Sequence, residues 1–241
     1  MRVSLIAAIA FALASILPDT ASAQNPPPRI QLQFITFPKK LDIQPLELNL
    51  GKETIEIAAP GHEFGPPYKV PPLANIIIGK TVQGEDGKPR FDTYGRAKAL
   101  PSREQIILLI RKGDNPSDGF HVLPMDARAA EFPGGSFKFI NASSKKVGSE
   151  IGNEKFAIEP GKQKLIKPKP DHEGNVAQTT FYYEKDNKKP KKFSDGRWST
   201  DPAFRTMVFF YDLKGRVGVS PIIEMLPFDG PVRPPPAPPG G

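Results

Sequence analysis

The sequence has no cysteine and, in 241 residues, only three histidines and one tryptophan. Without cysteine there can be no disulfide, zinc–thiolate centre, thioether-linked haem or thiol nucleophile. Three histidines leave little room for a His-rich metal site. Apolar residues reach only 38%, yet 16 of them are phenylalanine, enough for packed cores. The 29 prolines and 21 glycines argue against long helices, because an interior proline removes a backbone hydrogen bond and clashes with the preceding turn. The motifs G-x-S-x-G, G-x-x-x-x-G-K-[ST] and H-E-x-x-H are missing, which removes the commonest signs of a serine hydrolase, a phosphate-binding loop and a zinc protease.

What the chain does carry begins with an address. Arg2 precedes an apolar run from Val3 to Leu17, Pro18 breaks it, and Ala21-Ser22-Ala23 follows. This is the layout of a cleaved secretory signal over residues 1–23, with the mature chain starting near Gln24. The run is too short for a membrane span, which needs about 20 apolar residues, and no cysteine follows it to take a lipid. A periplasmic or secreted bacterial protein is expected, stabilised by sheet packing in place of disulfides. No later segment is apolar enough to span a membrane. Pro-rich stretches at 24–28 and 230–241 read as an extended lead-in and a disordered or polyproline tail, the latter a candidate ligand for a proline-binding groove.

Between these ends the pattern is one of short strands. Ile30–Phe37, Leu46–Leu50 and Ile55–Ile57 alternate apolar and polar, while Ile76–Ile78 and Ile106–Ile110 run continuously apolar, as strands covered on both faces do. Further strands are expected at 137–140, 156–158, 164–166, 179–184, 207–211 and 217–219. Met125–Glu131 has the composition for a turn or two of helix.

Five features recur in order. Phe34-Ile35 matches Phe139-Ile140, Pro60-Gly61 matches Pro160-Gly161, and Ile76–Lys80 matches Phe181–Lys185. Tyr94–Arg96 then matches Asp195–Arg197, and Ile106–Ile110 matches Met207–Tyr211; the offsets are 105, 100, 105, 101 and 101. The pattern predicts an all-β protein of two tandem immunoglobulin-like antiparallel sandwiches related by duplication, residues 29–126 and 136–229, joined by a linker at 127–135. The pattern is compatible with two units that stand apart and with two that pack as a pseudo-symmetric pair.

The opening of the second unit, Phe137-Lys138-Phe139-Ile140-Asn141-Ala142-Ser143-Ser144, followed by Glu159-Pro160-Gly161, resembles a strand-and-turn motif of some uncharacterised secreted bacterial β-sandwich domains. The first unit departs from it, with Thr36-Phe37-Pro38 in place of Asn-Ala-Ser. The resemblance implies an extracytoplasmic sandwich and brings no catalytic residues.

Local chemistry is sparse, and no catalytic residue, metal site or cofactor is expected. His62-Glu63 and His172-Glu173 pair imidazole with carboxylate but lack the further ligands a metal needs. Asp114–Gly119 has Pro116 and Met125 where a calcium loop needs oxygen ligands, so it reads as a turn. Charge is more telling. Residues 29–126 hold 13 Lys and Arg against 12 Asp and Glu, a balance of +1, and residues 136–229 hold 17 against 12, a balance of +5. Lys185, Lys188, Lys189, Lys191 and Lys192 crowd into eight residues, flanked by Tyr182, Tyr183, Phe193 and Trp198. Lys162, Lys164, Lys167 and Lys169 form a second set. Cations beside aromatic faces suit a polyanion or glycan, with Lys185, Lys188, Lys189, Lys191, Lys192 and Trp198 as candidate binding residues. The competing reading is that Lys188–Lys192 is a solvated hairpin loop whose lysines protect a sheet edge.

The leading expectation is a non-catalytic binding or structural protein of the cell envelope, partnered by an envelope polymer or another exported protein. Nucleic acid is disfavoured by the export signal. A polysaccharide-acting enzyme with dispersed carboxylates is the alternative from another class.

Overall fold

The computed structural model describes residues 28–38, 45–113, 116–169, 174–184 and 189–227. The signal segment, residues 24–27 of the lead-in, the Pro-rich tail, His172-Glu173, Lys185 and Lys188 lie outside them. Among the described residues sixteen strands are present: β1 (Ile30–Phe37), β2 (Leu46–Asn49), β3 (Thr54–Ile57), β4 (Tyr68–Val70), β5 (Asn75–Gln83), β6 (Pro89–Lys98), β7 (Glu104–Arg111), β8 (Phe120–Asp126), β9 (Phe137–Asn141), β10 (Val147–Ile151), β11 (Glu154–Ile158), β12 (Gln163–Ile166), β13 (Val176–Tyr183), β14 (Lys191–Ser199), β15 (Phe204–Leu213) and β16 (Arg216–Met225). The one helical element among the described residues is a 3₁₀ turn at Pro116–Asp118, and no helix there is long enough to cross a membrane. The helical expectation at Met125–Glu131 fails. Met125 and Asp126 finish β8, and the remainder closes a single turn in which Phe132 N–H donates to the Arg128 carbonyl at 2.8 Å.

The strands form four sheets. In the first half the orders are β4-β1-β7-β8 and β3-β2-β5-β6; in the second they are β12-β9-β15-β16 and β11-β10-β13-β14. Each second-half order is the first-half order advanced by eight. The expected antiparallel pairing holds except at β1–β7 and β9–β15, which pair in parallel, because the first strand of each half inserts beside the seventh instead of at an edge. The registers also correspond: Phe34 faces Ile107 as Phe139 faces Val208. A bulge at Ile78/Gly79 in the first half answers one at Phe181/Tyr182 in the second. The bulges show that the sequence match in this hairpin, which set Ile76 against Phe181, is two residues out of step. A slip of two keeps every side chain on its own face, so the pattern survives it.

Three apolar layers separate the four sheets. Leu32, Phe34, Leu48, Ile78, Ile107 and Leu109 fill the first sandwich, and Phe137, Phe139, Ile151, Phe181, Val208 and Phe210 fill the second. The third layer joins the halves face to face: Ile35, Phe37, Ile106 and Leu108 from one side meet Ile140, Met207, Phe209 and Ile222 from the other. Strands β1, β7 and β15 are therefore covered on both faces, which accounts for the continuous apolar runs of β7 and β15. Phe37 stacks on Phe209 with ring centroids 4.6 Å apart and meets Tyr211 edge-on.

One polar cluster sits in this layer. Arg205, almost fully buried, ion-pairs with Glu224 and donates to the carbonyls of Ala127 at 2.5 Å and Phe132 at 3.2 Å. Glu224 in turn accepts from Gln33 of the first half at 3.1 Å. The guanidinium also lies over the Phe132 ring. The connection between halves is thus held by an arginine of the second. It leaves through Gly134 and Gly135, where a side chain on Gly134 would overlap the Pro202 carbonyl and Gly135 has φ +74°. Since Gln33 lies beside Glu224, and Phe37 beside Phe209 and Tyr211, β1 runs alongside β15 in the same direction. Residue 28, the connection and residue 227 consequently lie at one end of the molecule.

The segments that carry the family resemblance meet in space. Buried Asn141 donates through Nδ2 to the carbonyls of Lys145 and Ile158, at 2.8 and 2.9 Å, and its Oδ1 accepts from Ser143 N–H and Oγ–H. Its backbone exchanges hydrogen bonds with Gly161 and Lys162.

The connection opens on a second charged corner. Asp126 accepts from Ser102 Oγ at 2.9 Å and from the Arg128 guanidinium at 2.6–3.0 Å. Arg128 holds its carboxyl at about 2, below the ordinary 3.8, against the opposing effect of partial burial. A depressed carboxylate contributes stability above its unfolded pKa and loses it as pH falls through its folded one. We expect Asp126→Asn to cost about 1 kcal/mol above pH 4, a small value because Arg128 is half exposed and screened. The gap between variant and parent should close as pH approaches 2, as followed by urea unfolding across that range.

Candidate functional site

The sequence-predicted residues do not form one loop. Lys191 and Lys192 open β14, an edge strand, and Trp198 lies near its far end; Lys189 precedes the strand and is exposed. The reading of a loop through Lys192 is corrected: the strand claims Lys191 and Lys192, which pair with Tyr183 and Tyr182 of β13. The edge-protection part of that reading fits their position. The second lysine set is elsewhere. Lys164 belongs to β12, at the opposite edge of its sheet from β16, with its ammonium 5.2 Å from the Phe156 ring centre.

The edge strands β14 and β16 face each other across the second sandwich and leave two clefts between them, one at each end. The first, about 440 Å³, is lined by Tyr183, Lys191, Lys192, Phe193, Tyr211 and Arg216, with Val217 and Val219 at its base. Lys145 adds a further cation: it donates to the Gly215 carbonyl at 2.9 Å, and its ammonium lies 4.9 Å from the Tyr183 ring centre. Lys192 pairs with Asp195 at 3.1 Å, whereas Lys191 and Arg216 are exposed and have no ion-pair partner among the described residues. This cleft offers cationic groups above aromatic and aliphatic walls, and its lining contains no Asp or Glu. The second cleft, about 380 Å³, is mostly apolar, lined by Phe137, Trp198, Phe204, Pro221 and Ile223 with Arg197, Ser199 and Thr206. So Lys191 and Lys192 are brought together with unforeseen Arg216, Tyr211 and Lys145, while Trp198 lies in the other cleft.

The first half closes the same seam. Gly95 on β6 lies against β8, where an added Cβ would sit 2.6 Å from Val122 Cγ2 and 3.0 Å from the Phe120 carbonyl. The matching bulges place Ser194 at the equivalent position. At the other end Gln105 acts as a plug: it is buried and exchanges hydrogen bonds with Leu100 while donating to the Ser102 carbonyl. Gln105 faces Leu32 as Thr206 faces Phe137. The shorter Thr206 leaves the space that becomes the apolar cleft.

Elsewhere the chemistry is thin. His62 Nε2 and Glu63 Oε1 are 3.6 Å apart and both exposed, and no group of three metal-binding side chains occurs among the described residues. His121 is an exposed residue of β8. Comparison with protein-family models found no match, and comparison with curated proteins found none either.

The closed seam yields a test. Gly95→Ala should destabilise the protein by about 1–3 kcal/mol through overpacking, whereas Ser194→Ala should change stability by less than about 0.5 kcal/mol. Urea midpoints of the two variants measure the contrast.

Proposed function

We propose that this chain is an exported, non-catalytic binding protein of the bacterial envelope, and that its second half takes an anionic polymer or glycan at the β14–β16 seam. The observation that carries this reading is the convergence of Lys191, Lys192 and Arg216 on one cleft walled by Tyr183, Phe193 and Tyr211. Ammonium and guanidinium groups attract sulfate, phosphate or uronate, and aromatic faces support sugar rings. A lining without carboxylates suits holding such a polymer better than cleaving it, since glycosidases work with a pair of acidic groups. The matching sheet orders support descent of the two halves from one duplicated sandwich. We read that ancestor as immunoglobulin-like, with the parallel first strand as a departure.

Export rests on the leader-like residues 1–23. N-terminal sequencing of the protein recovered from a bacterial periplasm or medium should begin near Gln24; recovery with an intact Met1 sinks the export claim. Binding rests on the cations. Replacing Lys191, Lys192 and Arg216 by Gln should weaken binding to heparin or dextran sulfate about tenfold, three exposed charge contacts of roughly 0.5 kcal/mol each. The wild-type affinity should fall with added salt. Equal retention of parent and triple variant on a heparin column removes this ligand class.

A further inference from the structure

We propose that the apolar cleft around Trp198 is the docking site for the chain's own Pro-rich segment, residues 228–241. The cleft lies where β16 ends. Phe204, part of its lining, faces Met225 in register, and Leu226 N–H donates to the Ala203 carbonyl at 2.8 Å. Ile223, another lining residue, is 58% exposed, and Met225 beside it is 73% exposed. The chain therefore leaves the described structure directly beside an uncovered apolar surface.

That surface is specific to the second half. Register places Pro221 where the first half has Pro124, and Ile223 where it has Asp126. Trp198, opposite Ala177, stands where the first half has Ala99, opposite Ala74. With Thr206 in place of Gln105, three differences act together. The first half ends in a hydrogen-bonded plug and an acidic corner. The second ends in an open slot between an indole and an isoleucine.

The segment that follows has the matching chemistry. It reads Phe-Asp-Gly-Pro-Val-Arg-Pro-Pro-Pro-Ala-Pro-Pro-Gly-Gly, with six prolines from Pro231 onward. Such a run favours polyproline II, which has little entropy left to lose and presents flat rings to an aromatic wall. Its carbonyls accept hydrogen bonds freely, and Arg197, Ser199 and Thr206 supply donors at the cleft. At about 3.1 Å per residue the segment reaches roughly 40 Å, ample for a cleft that begins at its own root. Covalent attachment supplies a millimolar effective concentration, so a weak groove suffices.

Trp198 is the only tryptophan, which makes its fluorescence a clean reporter. The full chain is compared with a chain ending at Pro227 and with a full-length variant carrying Pro234→Ser, Pro235→Ser and Pro236→Ser. Both altered proteins should show red-shifted Trp198 emission and a larger acrylamide quenching constant, with unchanged far-UV circular dichroism. Synthetic peptide 228–241, added to the shortened chain at about millimolar concentration, should reverse both changes. The triple variant leaves every described residue intact, so its fluorescence decides the matter if the shortened chain folds poorly. Equal emission and quenching in the full chain and the triple variant overturn the proposal. A difference that vanishes on dilution of the full chain also overturns it, because the occupant is then the segment of a second copy.

Discussion

Everything in this molecule is arranged around a layer of side chains that no single sandwich owns. Strands β1, β7 and β15 have apolar residues on both faces, and their outer faces meet each other across the middle of the protein. Exposed to water, that surface would be a large adhesive patch. Burying each aliphatic or aromatic side chain contributes about 1.5–3 kcal/mol, so the two halves hold together without a disulfide. The buried Arg205–Glu224 pair adds something different. Desolvating two charges offsets most of their attraction, but Glu224 also accepts from Gln33 and Arg205 binds the connecting segment. A shifted orientation would strand a buried charge. The cluster therefore selects one arrangement of two surfaces that are otherwise merely greasy.

On this shared frame the two halves differ at one edge. Both bring their outermost strands together along the same seam. Gly95 and Gln105 shut it in the first half; Ser194 and Thr206 leave it open in the second. The differences are small in volume, yet each lies where two sheets converge and a few atoms decide whether a gap persists. The surplus of positive charge belongs to the same half as the open seam.

Strands with a buried face were legible because burial writes itself into sequence as alternation or as an apolar run, as in Ile30–Phe37 and Ile106–Ile110. Most of those missed are edge strands. Lys191–Ser199 is dominated by polar and charged residues, Pro89–Lys98 likewise, Phe120–Asp126 contains Pro124, and Tyr68–Val70 is three residues long among prolines. Val147–Ile151 was masked by Gly148, although Val147, Ser149 and Ile151 alternate inward. Half of the candidate site was similarly visible. A run of lysines announces itself, but Arg216 and Tyr211 reach Lys191 only because β16 folds back opposite β14. The apolar cleft was hidden, since Thr206 means nothing until register sets it against Gln105.

The placement of residue 28, the connection and residue 227 at one end gives the molecule a direction. Whatever precedes or follows the described chain joins at that end, next to Trp198. The lysines of β14 and Arg216, which opens β16 just after the turn from β15, lie at the other. A protein tethered through either terminus would stand on its apolar end and hold its cationic cleft outward, at the full length of its strands from the point of attachment.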